Sequence, residues 1–324
     1  MNRSTLAISL LFCSFGPLVA VDMPVVDAVP ATPAAILQQL RSFHEMGSVL
    51  YVAAHPDDEN TQLIAYLARG RNYRTAYLSL TRGDGGQNVL GPELGEELGV
   101  IRTYELLAAR QTDGGRQFFS RAVDFGFSKD YRETLRIWDR DQVLSDVVRV
   151  IRKFRPDVVI TRFPTEPGGT HGHHTASAVL ALEAFKIAGS SNAFPDQLQE
   201  LTPWQPRRIL LNSWRGGRGG EASTNTGLLQ MDIGGTDPVS GDTFSTVAAR
   251  SRSMHKTQGF GNFTGFGGGT RPEMFQLLDG EPATNDILDG VDTTWARIPG
   301  AAEIGRMSGE IISSFNPKDP AASV

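Results

Sequence analysis

Two short stretches hold side chains whose types and spacing can do chemistry: His55-Pro56-Asp57-Asp58-Glu59 and His171-Gly172-His173-His174. In the first, Pro56 fixes the backbone, and two adjacent carboxylates leave such a turn in different directions. One can join His55 on a metal while the other stays free as a base. The plainer alternative is an acidic turn capping the next helix, where negative charge is favourable. Glu59 suits that capping role better than a catalytic one. In the second stretch, three of the chain's six histidines fall within four residues. Neutral imidazole is the commonest protein metal ligand. Gly172 allows a tight turn, so His171 and His174 can face one cavity.

Together the two stretches supply a two-histidine, one-carboxylate set: His55, Asp58 and His174. Three protein ligands with an open position describe a catalytic zinc site rather than a structural one. Such a metal would lower the pKa of a bound water to about 7 and polarise a carbonyl oxygen. Asp57 is left as general base for that water. His171 is left to stabilise the developing oxyanion and to protonate the departing amine. Every role in metal-assisted amide hydrolysis is filled. The same ligands suit Fe²⁺, Co²⁺ or Ni²⁺, but the spare Asp57 and His171 favour hydrolysis over oxygen chemistry. A metal-free glycosidase needs its carboxylates about 5 Å or more apart, which adjacent Asp57 and Asp58 do not offer. A carbohydrate-binding or accessory domain keeping fold and metal is the competing class, although a binding module has no use for a base.

The elements that must position these residues are legible in outline. Ser48–Ala54 is a continuous apolar run, the pattern of a strand buried on both faces, and HPDDE follows at once. Asn60–Ala68 has helical spacing, with Gly70 as its stop. A second strand is expected over Thr75–Leu80, ended by the Gly-rich turn TRGDGGQN. Helical spacing resumes around Ile101–Ala109. Gln117–Phe127 alternates like a strand, and Glu133–Phe154 reads as one long helix stopped by Pro156. Val158–Thr161 is a fourth strand, with HGHH in the loop after it. A helix over Thr175–Ala188, a fifth strand at Arg208–Asn212 and a helix around Phe244–His255 complete the pattern. Strands alternating with helices imply an α/β fold, a mostly parallel sheet covered by helices on both faces. Ligands of such sheets bind at the carboxyl edge of the strands, where both histidine-rich stretches fall.

Composition narrows the rest. The chain has 324 residues, with 31 basic and 36 acidic side chains and a net charge of −5. No dense Lys/Arg cluster is present to track a phosphate backbone, so nucleic acid is not an expected partner. Residues 1–20 read as a signal peptide: Arg3, an apolar run from Leu6 to Phe15, and small residues near Ala20. The run is too short for a membrane span, and export to a periplasmic or extracellular space is expected, with no stable membrane span after removal. The only cysteine, Cys13, lies in that segment, so the mature chain has no disulfide and no thiolate ligand. Residues 21–45 form a leader that ends in a short helix, 46–315 the catalytic domain, and 316–324 a linker-like tail. The Gly-rich C-terminal additions, GGRGG and GFGNFTGFGGG, are expected as loops.

These stretches carry a resemblance. Strand–AHPDDE–helix, the later His-x-x-His after a strand, and the order of elements from about Ser48 to Gln258 resemble the PIG-L/LmbE-like N-acetylglucosaminyl deacetylases. The resemblance implies a Rossmann-like fold and a Zn²⁺ site. Carried over residue by residue, His55, Asp58 and His174 match the family's metal ligands, Asp57 its general base and His171 its oxyanion-stabilising histidine. Gly83-Asp84-Gly85-Gly86 resembles the turn after its second strand, and Gln87 falls where some members place a substrate-contacting acid. Arg102 and Glu105 match its Arg-x-x-Glu pair, whose arginine can hold a sugar hydroxyl group. Read from the residues alone, Asp84 is a turn former and Arg102–Glu105 a surface ion pair. Met254-His255-Lys256-Thr257-Gln258 resembles the family's late His-x-Ser-Gln segment, although His255 alone reads as a core or helix-end histidine. One position departs: His173 stands where many members have an aspartate. The implied activity is removal of an N-acyl group, acetyl foremost, from a small-molecule or glycan substrate.

Overall fold

Every residue of the first strand is buried, as its unbroken apolar run requires, so both faces of the sheet must be covered. In a computed structural model, which describes residues 32–323 except 169, 214–227, 263 and 266, helices do cover both. In chain order the elements are α1 (Pro33–His44), β1 (Ser48–Ala53), α2 (Thr61–Ala65, extended by a π turn over Tyr66–Gly70), β2 (Arg74–Ser79), α3 (Glu96–Asp113) and β3 (Arg116–Phe119). There follow α4 (Tyr131–Ile137), α5 (Arg140–Phe154), β4 (Val158–Thr161), α6 (Gly172–Ile187) and β5 (Arg208–Ser213). Then come β6 (Leu228–Asp232), α7 (Phe244–Arg252), β7 (Pro272–Gly280) and α8 (Ala302–Ser314).

The sheet order is β3-β2-β1-β4-β5-β7-β6. The first five strands in this order run parallel; β7 lies antiparallel to both β5 and β6. The chain winds outward from β1 through β2 to β3, then returns to β4 on the other side of β1. The strand order therefore reverses between β1 and β4, the place where such sheets open a crevice. The fold is the expected Rossmann-like α/β sheet, extended by an antiparallel edge.

Alternation along β1 sends Leu50 and Val52 into one core with α5 and α6, through Val147, Ile151, Leu180 and Ala184. Val49, Tyr51 and Ala53 enter the other, with Leu63 and Ile64 of α2, Leu106 of α3 and Phe275 of β7.

Three expectations need correction. The helical stretch 133–154 is two helices, because Asp139 takes a left-handed φ of 56° and turns the chain between them. The strand expected over 117–127 ends at Phe119. Beyond it Arg121 turns to Asp146, at 2.8 Å, and the chain leaves the sheet as a loop. The C-terminal third hides β6 and β7, which the Gly-rich pattern obscured. The leader's helix packs against α8 through His44 and Ser308, at 2.8 Å, and against the turn before α8 through the rings of Phe43 and Trp295. Residues 1–20 and the GGRGG stretch lie outside the described residues. No helix among the described residues is long and apolar enough to cross a membrane.

Candidate active site

Because β1 and β4 are neighbours, HPDDE at the end of β1 and HGHH after β4 meet at the strand-order reversal. They open a cleft of about 380 Å³, lined by His55, Asp57, Asp58, Arg102, Asp124, Phe127, His171, His174 and Gln258, with the backbone of Gly85, Gly86 and Gly126. A larger cavity, of about 610 Å³ around Asp157, Trp204 and Arg297, lies at the amino edge of the sheet. Among the described residues, both groups able to hold an ion centre on His55 in the smaller cleft, one of them completed by the buried His173 behind its wall.

The HPDDE turn is strained and clamped. Asp57 has a φ of +94°, which is costly for a residue with a Cβ, about 1–3 kcal/mol. Tertiary contacts hold it there. Tyr77 donates its hydroxyl to the His55 carbonyl (2.5 Å), Gln258 donates to Pro56 O (2.8 Å), and Arg252 donates to Asp57 O (3.2 Å). The Asp57 amide donates to Glu59 Oε2 (2.9 Å). Glu59 is therefore not a helix cap. Asn60 caps α2, accepting from Leu63 N at 3.1 Å. Glu59 is instead a buried strut. Its Oε1 meets Arg110 and His255, each at 3.0 Å, and Arg110 also pairs with Asp113 at 2.6 Å. Burial opposes its charge, but Arg110 and His255 hold its carboxyl well below the usual range.

The HGHH segment is not a free loop. Helix α6 starts at Gly172, with His171 as N-cap: its Nδ1 accepts from His173 N at 3.0 Å. Glycine is required here by close approach, since a Cβ would lie 2.6 Å from Ser128 Oγ. The helix carries the next two rings in different directions. His174 stacks on Phe163 (ring centroids 3.8 Å apart, parallel), and His173 is wholly buried against Phe125 and Trp138.

The predicted ligand atoms converge. His55 Nδ1 lies 3.2 Å from Asp58 Oδ2, and His174 Nε2 lies 3.5 Å from Asp58 Oδ1. All three donors fall within 4.8 Å of one another. Neighbouring ligand atoms around a tetrahedral zinc are about 3.3 Å apart, given metal–ligand distances near 2.0–2.1 Å. The donor set therefore fits a zinc-sized ion. Thr170 Oγ1 meets His174 Nδ1 at 3.0 Å, leaving Nε2 for the cleft. Burial would raise Asp58, but His174 and His55 hold it low; burial pushes His174 down to about 4, which leaves it neutral as a ligand must be. A second trio, His55, His171 and His173, is also close enough for an ion.

Asp57 lines the cleft beside this set. Burial, with Asp58 and Glu59 beside it, pushes its carboxyl up to about 7. Burial and the nearby His55 push His171 down, and its ring stands edge-on to Phe127 at 4.9 Å. Arg102 is buried and is not in a surface ion pair with Glu105. It donates to Gly83 O (2.6 Å), Gln87 O (2.8 Å) and Thr257 Oγ1 (3.3 Å), while Glu105 accepts from Thr257 N and Oγ1, both at 2.7 Å. From the turn after β2, Gly85 and Gly86 face the cleft; Asp84 and Gln87 are not among its lining residues.

Asp124 and Phe127 are site residues that the sequence reading passed over, and His173, noted there only as a departure, is a third. Asp124 sat inside a stretch read as strand. Its signal was its place just past β3, at the same carboxyl edge. Gly85 marks where that loop meets the turn after β2, for a Cβ there would come within 2.3 Å of Asp124 O.

Comparison with known proteins agrees with this geometry. Residues 50–185 match the family model PIG-L, GlcNAc-PI de-N-acetylase. The chain is 30% identical over 208 residues to 1D-myo-inositol 2-acetamido-2-deoxy-alpha-D-glucopyranoside deacetylase of Kineococcus radiotolerans, covering 54% of each chain. It is 27% identical over 178 residues to mycothiol S-conjugate amidase of Streptomyces coelicolor (51% of this chain, 60% of that one). To diacetylchitobiose deacetylase of Thermococcus kodakarensis it is 30% identical over 152 residues (46% and 53%). The chain thus spans about half to three fifths of the length of these relatives. The span that matches the PIG-L family model contains both HPDDE and HGHH.

Proposed function

We propose that this chain is a metal-dependent hydrolase that removes an N-acyl group, acetyl foremost, from an amino sugar or glycoconjugate. The observation that carries the reading is the convergence of His55, Asp58 and His174 in one cleft, with Asp57 beside them and free of the ligand set. The names of the matched relatives support it: two are deacetylases of acetylated sugars and one is an amidase.

His55, Asp58 and His174 would hold the ion, zinc being the best fit to two imidazoles and a carboxylate. When bound, such an ion supplies Lewis-acid polarisation of the acyl carbonyl and a more acidic water. Asp57, poised near neutrality, takes the proton of the attacking water as its oxygen adds to the carbonyl carbon. His171 is neutral, and its Nδ1 already accepts from His173 N, so its proton sits on Nε2. That N–H serves the developing oxyanion. The proton held by Asp57 passes to the amine nitrogen as the C–N bond breaks, and the released acid then gives up its own proton to the free amine, leaving carboxylate and ammonium. Arg102 holds the Gly83–Gln87 turn that forms one wall of the cleft. Sugar hydroxyl groups would meet that wall.

Elemental analysis of the purified chain, paired with acetate release from N-acetylglucosamine derivatives before and after chelation, tests this. About one zinc per chain with chelation-sensitive release is expected. Sugar binding without turnover in any form would favour a binding module. Export rests on residues 1–20 alone; N-terminal sequencing of the chain recovered outside the cytoplasm would test it.

A further inference from the structure

Outside the three ligands, the buried histidine in HGHH has a geometry that the reaction scheme does not use. His173 Nδ1 lies 3.0 Å from His55 Nε2. Its ring is fully buried, wedged between Phe125 (4.4 Å) and Trp138 (4.9 Å), and its Nε2 has no hydrogen-bond partner. Packing therefore leaves Nδ1, with Asp124 Oδ1 out of hydrogen-bond reach at 3.7 Å, in reach of one neighbour. That neighbour is the far nitrogen of a ligand ring. His55 presents its other nitrogen, Nδ1, to Asp58 Oδ2 at 3.2 Å.

A neutral imidazole has one donor and one acceptor nitrogen. For His55 to offer a lone pair at Nδ1, its proton must sit on Nε2, and that proton needs an acceptor. Asp124 Oδ2 is 4.0 Å away, beyond hydrogen-bond reach. His173 Nδ1 is within reach. We infer that His173 is a positioning residue: it accepts the Nε2–H of His55 and so locks His55 in the tautomer that presents Nδ1 to a metal. Metal-bound histidines are usually fixed in this way by a carboxylate or a carbonyl; here the partner is a second imidazole. This inference rests on the metal reading proposed above.

The experiment uses the zinc-loaded chain with ¹⁵N-labelled histidine, and zinc affinity measured by competition with a chelating dye. Long-range ¹H–¹⁵N correlation should show His55 protonated at Nε2. His173→Phe keeps a ring in the aromatic cage but removes the acceptor. It should weaken zinc binding about 10–100-fold, the range for loss of such a partner. His173→Asn restores an acceptor at the Nδ1 position and should recover most of that loss. Three outcomes overturn the inference: His55 protonated at Nδ1; His173→Phe binding zinc like the parent; or Asp124→Asn losing zinc while His173→Phe keeps it. If His173 were itself a ligand with His55 and His171, zinc would survive replacement of Asp58 and His174, which also overturns it. A parent chain that binds no zinc would instead refute the metal reading, so the two failures are distinguishable. The tautomer measurement needs no variant and holds even if His173→Phe does not fold.

Discussion

Glu59 Oε1 and His255 Nε2 lie 3.0 Å apart with both side chains wholly buried, which ties the HPDDE turn to the segment after α7. These residues are 196 positions apart in sequence. Arg110 joins the same carboxylate oxygen, so one acidic group satisfies partners from two distant helical regions while also accepting the Asp57 amide. Replacing Glu59 by Ala strips His255 Nε2 of its partner and leaves the buried Arg110 with Asp113 alone. Breaking such a buried pair costs about 3–5 kcal/mol, so chemical denaturation of Glu59→Ala should show a loss in that range. Glu59→Gln should lose less. An unchanged midpoint in both would refute the strut.

Asp57→Asn removes the proposed base but no ligand. Turnover of an N-acetyl substrate should fall about 10²–10⁴-fold, the usual contribution of a general base, with zinc content unchanged. Asp58→Asn and His174→Ala should instead lose the metal. Near-parental turnover in Asp57→Asn would rule out the assigned role.

Chelation should lower thermal stability as well as activity, because an ion that binds only the folded chain stabilises it. At a free metal concentration 100 times Kd the effect is about 2.7 kcal/mol. Thermal scans with and without chelator, followed by zinc add-back, measure it. Activity lost without any change in Tm would argue against a tightly held ion.

Arg102→Lys should disturb the cleft wall more than its conserved charge suggests. The guanidinium spans Gly83 O, Gln87 O and Thr257 Oγ1 at once, and a single ammonium cannot. A raised KM is expected, with a stability loss of about 1–3 kcal/mol from unsatisfied carbonyls. Parental values of both would show that the wall does not depend on this residue.

Asp237 provides a pH test away from the cleft. Burial alone would raise its carboxyl, but the Ser240 hydroxyl, the Val239 amide and Arg69 hold it low. A depressed carboxylate contributes stability above its unfolded pKa of about 3.9 and loses it as pH falls through the folded value. Asp237→Asn should therefore be less stable than the parent at pH 7, by about 1.5–3 kcal/mol for hydrogen bonds to a charged group. The gap should close in strong acid. Denaturation curves across pH decide this; a gap constant with pH would mean the charge contributes nothing.

Parts of the molecule with a local signal can be read directly from the residues. An unbroken apolar run must be a strand buried on both faces, and a helical pattern after it makes a crossover; β1, β2 and β4 and their flanking helices follow. The chemistry of the ligand set was equally local, because His55, Asp58 and His174 are recognisable by type and by their place just past a strand. Contacts between segments far apart in the chain have no such local signal and emerge only from the folded arrangement. Periodicity does not say which helix a buried Glu59 will face, nor that His255 and Arg110 will meet it. It does not say that Arg102 turns inward rather than to Glu105, or that a stretch alternating like a strand leaves the sheet after Phe119 and brings Asp124 to the cleft. The antiparallel β6 and β7 were hidden for a related reason. Their pairing is set by β5 and by each other across long intervening stretches of sequence, and the glycine-rich stretches nearby carry no pattern from which that pairing can be read.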